Sequence, residues 1–359
     1  MKKVKICLLI IIILIIGGCS IKSIKTDSDD ENTVIAKTNV NILDELEAKK
    51  TSSIVNAHPI AVLDDGRKVF LQVNPEVDNS IFATSSNGSI MLKINAGASK
   101  NIYDAKVMGN WIVYVESSND MTKSDWVLYA QNIDDNRRIE IDKGKVADVK
   151  TETPTLLGAL ISASNGKIVW TAFEKDKESV NAIVKLYDIE NNTYKIIDKL
   201  NVEDGEFGQP GLDGDWIVYD IGKIDMKALA RNGELVLVNL KNNEKRILDE
   251  GLRVSGASIK YPYIVWNSGD SILKLYNIKT KEEKTIVNWG MTGVWNSSLN
   301  DKFISWNTNG DGLYIYSIEK GETLRLKDSD VTSGGNISGN ILWWYVKGEK
   351  CKSEWITLD

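Results

Sequence analysis

The sequence predicts an all-β chain built from about seven copies of one four-stranded unit, and three observations predict it. A six-residue station recurs as "DGRKVF" (65–70), "GNWIVY" (109–114), "NGKIVW" (165–170), "GDWIVY" (214–219), "YPYIVW" (261–266), "DKFISW" (301–306) and "GNILWW" (339–344). Each closes on an aromatic, and the intervals between these aromatics are 44, 56, 49, 47, 40 and 38 residues. That is the repeat length of a four-stranded propeller blade. The 359 residues are 42% hydrophobic and 26% charged, and eleven Trp and twelve Tyr against five Pro suit strands with aromatic anchors. A β-propeller of seven blades satisfies all three, with six as the alternative because the first repeat diverges most.

Each repeat supplies its strands in a fixed order. A Gly- and Ser-rich segment precedes the station, as in "FGQPGLDG" (207–214), "VSGASIKY" (254–261), "MTGVWNSSLN" (291–300) and "VTSGGNISG" (331–339). Small side chains suit the innermost strand, where blades crowd around the axis. After the station comes a hairpin, as in "AIVKLYDIENNTYKII" (182–197) and "ELVLVNLKNNEKRIL" (234–248). Asn191–Asn192, Asn242–Asn243, Lys320–Gly321 and Asn87–Gly88 sit where the chain reverses, and Asn and Gly tolerate positive φ there. The last repeat stops at "SEWITLD" (353–359) with three strands. A strand from the other end of the chain, "TSSIVNA" (51–57) or "TNVNILD" (38–44), is expected to supply the fourth and to cover the open edge.

The N-terminus stands apart. Lys2, Lys3 and Lys5 precede an apolar run from Ile6 to Ile16, then Gly17, Gly18 and Cys19. This is the layout of a secretory signal peptide, and the run is short against the ~20 residues of a membrane-spanning helix. "IGGC" (16–19) resembles the lipobox of bacterial lipoproteins. The resemblance implies cleavage before Cys19, a lipid anchor on its thiol, and a location outside the cytoplasm on the bacterial cell membrane. Residues 1–18 are then a signal peptide, 19–50 a lipidated Cys with a polar tether, and 51–359 the propeller. Cys7 leaves with the leader, so only Cys351 remains and no internal disulfide forms. Loss of three Lys moves the formal charge from −6 to −9, a poor match for nucleic acid.

The aromatic-ended strand followed by a "LYDIENN"-type hairpin (186–192) resembles the propeller of TolB-like proteins over about residues 55–359. That resemblance implies the fold and leaves function open among binding modules, sensors and peptidase accessory domains.

The search for chemistry returns little. There is no G-x-S-x-G elbow, and His58 is the only His, expected at the solvent or the closing strand. Glu116, Asp120, Glu174, Asp176, Asp220, Asp225, Asp270 and Asp311 follow the stations, but no spacing singles out an acid pair. "NTNGDG" (307–312) lacks the distal Glu of a calcium loop and reads as a turn. No cofactor motif is present. Trp289 and Trp295 do not repeat, and they sit where one blade passes to the next, as candidates to stack on a sugar or anchor a peptide. Gln209, Ser255, Thr292 and Ser333, at inner-strand starts, are expected to ring one channel mouth. The longest post-station loop, 220–234, carries Lys223, Met226, Lys227 and Arg231 and reads as a short helical or projecting partner surface.

The expectation is therefore a membrane-anchored extracytoplasmic protein that binds a protein, peptide or cell-wall glycan through one propeller face. A secreted carbohydrate-active hydrolase or lyase with acids at the channel mouth is the alternative, and a purely structural envelope subunit a third.

Overall fold

The structure, a computed structural model, describes residues 52–73, 79–118, 125–145, 159–176, 179–225, 230–290, 293–308, 312–325, 331–346 and 352–358. Among these residues every regular element is a strand, and the strands form seven antiparallel sheets. Blade 1 comprises Ala57–Val62, Lys68–Gln72, Ser80–Thr84 and Ile90–Asn95; blade 2, Lys100–Met108, Trp111–Ser118, Asp125–Asn132 and Arg138–Lys145. Blade 3 runs through Leu160–Ser164, Lys167–Lys175, Val180–Asp188 and Thr193–Asn201. In blade 4 the inner strand is broken into Glu206–Phe207 and Gly211–Asp213, followed by Trp216–Asp225, Ala230–Asn239 and Glu244–Leu252. Pro210 sits in that break, since it has no N–H to give the ladder. Blade 5 is Val254–Lys260, Tyr263–Ser268, Ile272–Asn277 and Glu282–Asn288; blade 6, Val294–Leu299, Phe303–Thr308, Gly312–Ser317 and Glu322–Arg325.

Blade 7 combines both ends of the chain. Val331–Ser338, Ile341–Val346 and Lys352–Thr357 are joined at the outer edge by Ser52–Val55, antiparallel, with Ser52 opposite Trp355 and Val55 opposite Lys352. The closing strand is thus the 51–57 segment; residues 38–44 lie outside the described residues. Seven blades, not six, close the ring.

The stations are the second strands, and their sequence follows from where they sit. Ile112 and Tyr114 pack into the cluster shared with blade 1, while Val113 and Val115 pack with Ile168 and Trp170 of blade 3. The same split sends Ile217 and Tyr219 one way and Val218 the other. A strand covered on both faces needs apolar residues at consecutive positions, which is why "IVY" and "IVW" do not alternate with polar residues. All seven station aromatics are buried, Tyr114, Trp170, Tyr219, Trp266 and Trp306 at 0% exposure.

The hairpin turns behave as their sequences require. Asn192, Asn243, Gly321 and Gly88 all have positive φ. In blade 3, Asp188 accepts bonds from the N–H groups of Glu190 (3.1 Å) and Asn191 (3.0 Å), which fixes the reversal locally.

A polar clamp recurs between blades. Asp142 on the outer strand of blade 2 accepts from the Trp170 indole N–H (2.9 Å) and Lys185 Nζ (2.9 Å) of blade 3. Asp249 of blade 4 accepts in the same way from Trp266 (2.7 Å) and Lys274 (3.1 Å) of blade 5. Asp198 of blade 3 accepts from the Tyr219 hydroxyl (2.7 Å) of blade 4, with Lys245 as its cation (2.7 Å). In blades 2, 3 and 4 the Asp occupies one register position, opposite Leu128, Val184 and Leu235 just before a bulge.

Candidate binding channel

The innermost strands bend where they meet the axis. Bulges fall between Pro59 and Ala61, Ile102 and Asp104, Ser255 and Ser258, Trp295 and Ser298, and Val331 and Gly335. Gly256 (φ +69°) and Asn296 (φ +51°) take the left-handed conformation that two of these bulges need. Each bulge shifts which residues face inward. Together the inner strands enclose a cavity of about 540 Å³ lined from all seven blades, by His58, Lys106, Ser162, Gln209, Ser258, Ser297 and Asn336 in turn.

Side chains that follow the station aromatics tie neighbouring inner strands together. Asn307 Nδ2 donates to the Gly335 carbonyl (2.8 Å), and its Oδ1 accepts from the Gly335 N–H (3.2 Å). Asn267 Nδ2 donates to the Val294 carbonyl (2.8 Å), and Asp220 Oδ1 accepts from the Gly256 N–H (3.3 Å). Asn307 is therefore a latch between blades 6 and 7; residues 309–311 of its turn lie outside the described residues.

One side of the cavity is aromatic. His58 lies flat on Trp343, with ring centroids 4.6 Å apart at 9°, and its Nδ1 is 3.1 Å from the Tyr345 hydroxyl. Burial, helped by the charge of Lys106 and opposed by Asp104, lowers its pKa to about 4, so the imidazole is neutral at neutral pH. Lys106 and Asp104 pair at 2.9 Å. Tyr103, which also lines the cavity, leaves 48% of its surface exposed. Amides lie beside and beyond these rings, with Asn336 directly across from Trp343 on the neighbouring strand. The Oδ1 atoms of Asn267 and Asn336 are buried there without a hydrogen-bond partner.

The structure places the sequence-predicted residues unevenly. Gln209 lines the cavity, with its Nε2 donating to the Ile161 carbonyl (3.2 Å). Ser255 lies one residue before the lining, which the bulge hands to Gly256 and Ser258. Trp295 is away from the cavity and 47% exposed, its indole lying over Gly293. Trp289 packs into blade 6, edge-on to Tyr314 at 4.7 Å and beside Trp306 at 6.1 Å. Thr292, Met226, Lys227 and Cys19 lie outside the described residues, as does the side chain of Ser333.

The described residues of the 220–234 segment, 220–225 and 230–234, are strand. The strands Trp216–Asp225 and Ala230–Asn239 stay paired as far as Asp225 opposite Ala230, so it extends blade 4 as a β-ribbon. Lys223 is exposed on it. Arg231 turns inward instead of facing a partner: its Nη2 is 2.6 Å from the buried Asp220, and Nη1 donates to the Val254 carbonyl (3.3 Å). His58, placed by sequence at the solvent or the closing strand, sits on the innermost strand of blade 1, because the closing strand ends at Val55 and blade 1 begins at Ala57. His58, Tyr103, Asn267, Asn336 and Trp343 were not legible as site residues.

No family model matches the chain, and no curated protein matches it. Among solved structures, the β-propeller domain of the Trilobed protease from Pyrococcus furiosus, described as having an open velcro topology, is similar with a TM-score of 0.54 at 12% identity. The similarity covers 85% of this chain and 97% of that one. An oligogalacturonate lyase in complex with manganese is similar with a TM-score of 0.53 at 10% identity, covering 87% and 98% of the two chains. Acylaminoacyl peptidase from Pyrococcus horikoshii is similar with a TM-score of 0.54 at 12% identity over 81% of this chain, which matches about half (49%) of that enzyme. These likenesses define the class of the chain by fold, a seven-bladed β-propeller, and nothing finer.

Proposed function

We propose that this chain is a membrane-tethered extracytoplasmic binding protein that recognises a protein, peptide or cell-wall glycan through its propeller, and is not a hydrolase. The observation that carries this reading is the state of the post-station acids. Glu174 is paired with Lys185 (2.5 Å), Asp220 with Arg231 (2.6 Å), Asp270 with Arg253, and Glu116 lies 3.9 Å from Lys100. Two-acid glycoside cleavage needs two carboxyls facing each other across about 5–10 Å, one protonated and one free to act. Four of the eight candidate acids are instead held by cations, Asp120 and Asp311 lie outside the described residues, and among the described residues the one carboxylate lining the cavity, Asp104, is held by Lys106. What remains is a polar cavity with an aromatic side, which is the make-up of a binding site. The tether rests on the signal-like N-terminus and Cys19.

Sedimentation with purified cell-wall sacculi and with immobilised envelope peptides tests the reading. Retention without release of reducing ends or peptide fragments is expected. Catalytic release of either overturns it. Cys19→Ala is expected to move the chain from the membrane fraction to the soluble one; unchanged fractionation would remove the lipid tether from the proposal.

A further inference from the structure

The cavity on the axis carries a more specific message than its volume. Its ion pair is closed on itself, Lys106 with Asp104, and the stacked imidazole of His58 is uncharged. Among the described residues an anionic ligand would find no free cation there, and a cationic one no free carboxylate. The unmet needs are acceptors: Asn267 Oδ1 and Asn336 Oδ1 are both buried without a donor. An unsatisfied buried acceptor costs free energy until something donates to it. Gln209 adds a third amide, with one N–H of its Nε2 donated to the Ile161 carbonyl. Beside these amides lie the rings of Tyr103, half-exposed, and of Trp343, one face of which His58 covers.

Resting on the binding reading above, we infer that the cavity holds one or two rings of a neutral saccharide. A pyranose brings hydroxyl donors around its rim for the asparagine oxygens and an apolar C–H face for the aromatic rings. About 540 Å³ accommodates a mono- or disaccharide within the usual range of ligand pockets. A peptide fits less well, because each of its residues offers one N–H where a pyranose offers several hydroxyls that both donate and accept.

The test is calorimetry on the full chain in a detergent without a sugar headgroup. The probes are N,N′-diacetylchitobiose, cellobiose and maltose as neutral disaccharides, digalacturonate as an acidic one, and tetraglycine as a peptide. At least one neutral disaccharide is expected to bind one-to-one, with digalacturonate and tetraglycine silent. Asn336→Ala is expected to weaken that binding about tenfold, the loss of one good hydrogen bond. Tyr103→Ala, at a half-exposed ring, is expected to weaken it comparably. Unfolding midpoints check that both variants are folded. The inference is overturned if no neutral disaccharide binds, or if both variants bind like the parent. Tetraglycine binding that Asn336→Ala abolishes would overturn the saccharide while leaving the binding reading standing. Cleavage of a bound disaccharide would overturn the binding reading itself.

Discussion

Asp249→Ala is expected to loosen the ring at the junction of blades 4 and 5. The carboxylate is mostly buried, with a side-chain exposure of 14%, and receives the Trp266 indole N–H at 2.7 Å and Lys274 Nζ at 3.1 Å. Burial pushes its pKa up, but bonds from Trp266, Ser268 and Lys274 outweigh that and hold the carboxyl below its usual range. Alanine leaves the indole N–H without an acceptor inside a dry interface and leaves Lys274 with only the half-exposed Glu283 at 3.0 Å. A lost hydrogen bond to a charged group costs about 1.5–3 kcal/mol, and breaking a buried pair about 3–5 kcal/mol. Partial exposure puts the expectation near the lower bound, about 3 kcal/mol, or about 6 °C in Tm for a body of this size. Asp249→Asn keeps an acceptor for the indole and loses only the charge, so about half that loss is expected. Urea unfolding followed by tryptophan fluorescence reads both variants. A loss below about 1 kcal/mol for the alanine variant, or equal losses for the two, would refute the argument that the clamp works through the indole bond and the charge together.

Three further outcomes follow from the same geometry. His58 has a folded pKa of about 4 against 6.5 unfolded, so the folded state favours the neutral ring. Its contribution is complete above pH 6.5 and is lost as pH falls toward 4, by about 3 kcal/mol; His58→Phe, which keeps a ring on Trp343, should flatten that slope in urea titrations between pH 7 and 4. A Cβ on Gly233 would meet the Val254 carbonyl oxygen at 2.2 Å, so Gly233→Ala should cost about 1–3 kcal/mol, read as a lowered unfolding midpoint. Removing residues 52–55 strips the outer strand from blade 7; a lower midpoint together with concentration-dependent association by light scattering is expected, because the Lys352–Thr357 edge is then open.

The repeat was legible because the ring imposes the same burial on every station. A strand covered on both faces must read as "IVY" or "IVW", and a tight hairpin must carry Asn or Gly at positive φ, so both signals survive in a single sequence. The channel was not legible for the opposite reason. Which residue of an inner strand faces the axis depends on bulges such as those at 255–258 and 331–335, and side chains alternate with a period of two. One inserted residue therefore exchanges the inward and outward sets. Ser255 was a reasonable choice for an unbroken strand, whereas Ser258 lines the bulged one. Arg231 was misread for a related reason: a basic residue in a long loop looks like surface until the ribbon folds it onto Asp220.

Trp289 shows why a departure from the repeat need not mark a ligand site. The outer strands of blades 2, 3 and 4 place Asp142, Asp198 and Asp249 against the next station aromatic, but blade 5 has Val287 at that register, opposite Leu273 just before the bulge. The third-strand lysine is missing too, since Trp306 faces Tyr314 where Trp170 faces Lys185 and Trp266 faces Lys274. The Trp306 N–H accordingly has no partner. What replaces the polar clamp is an aromatic one. Trp306 stacks on Tyr314 at 5.6 Å and 9°, and Trp289 closes the group edge-on to Tyr314. Two residues beyond the clamp position, blades 2, 3 and 4 carry Gly144, Leu200 and Gly251, and blade 5 carries the indole. The two solutions exchange electrostatic for dispersion energy at one interface of the ring. The non-repeating tryptophan is then a consequence of the non-repeating valine.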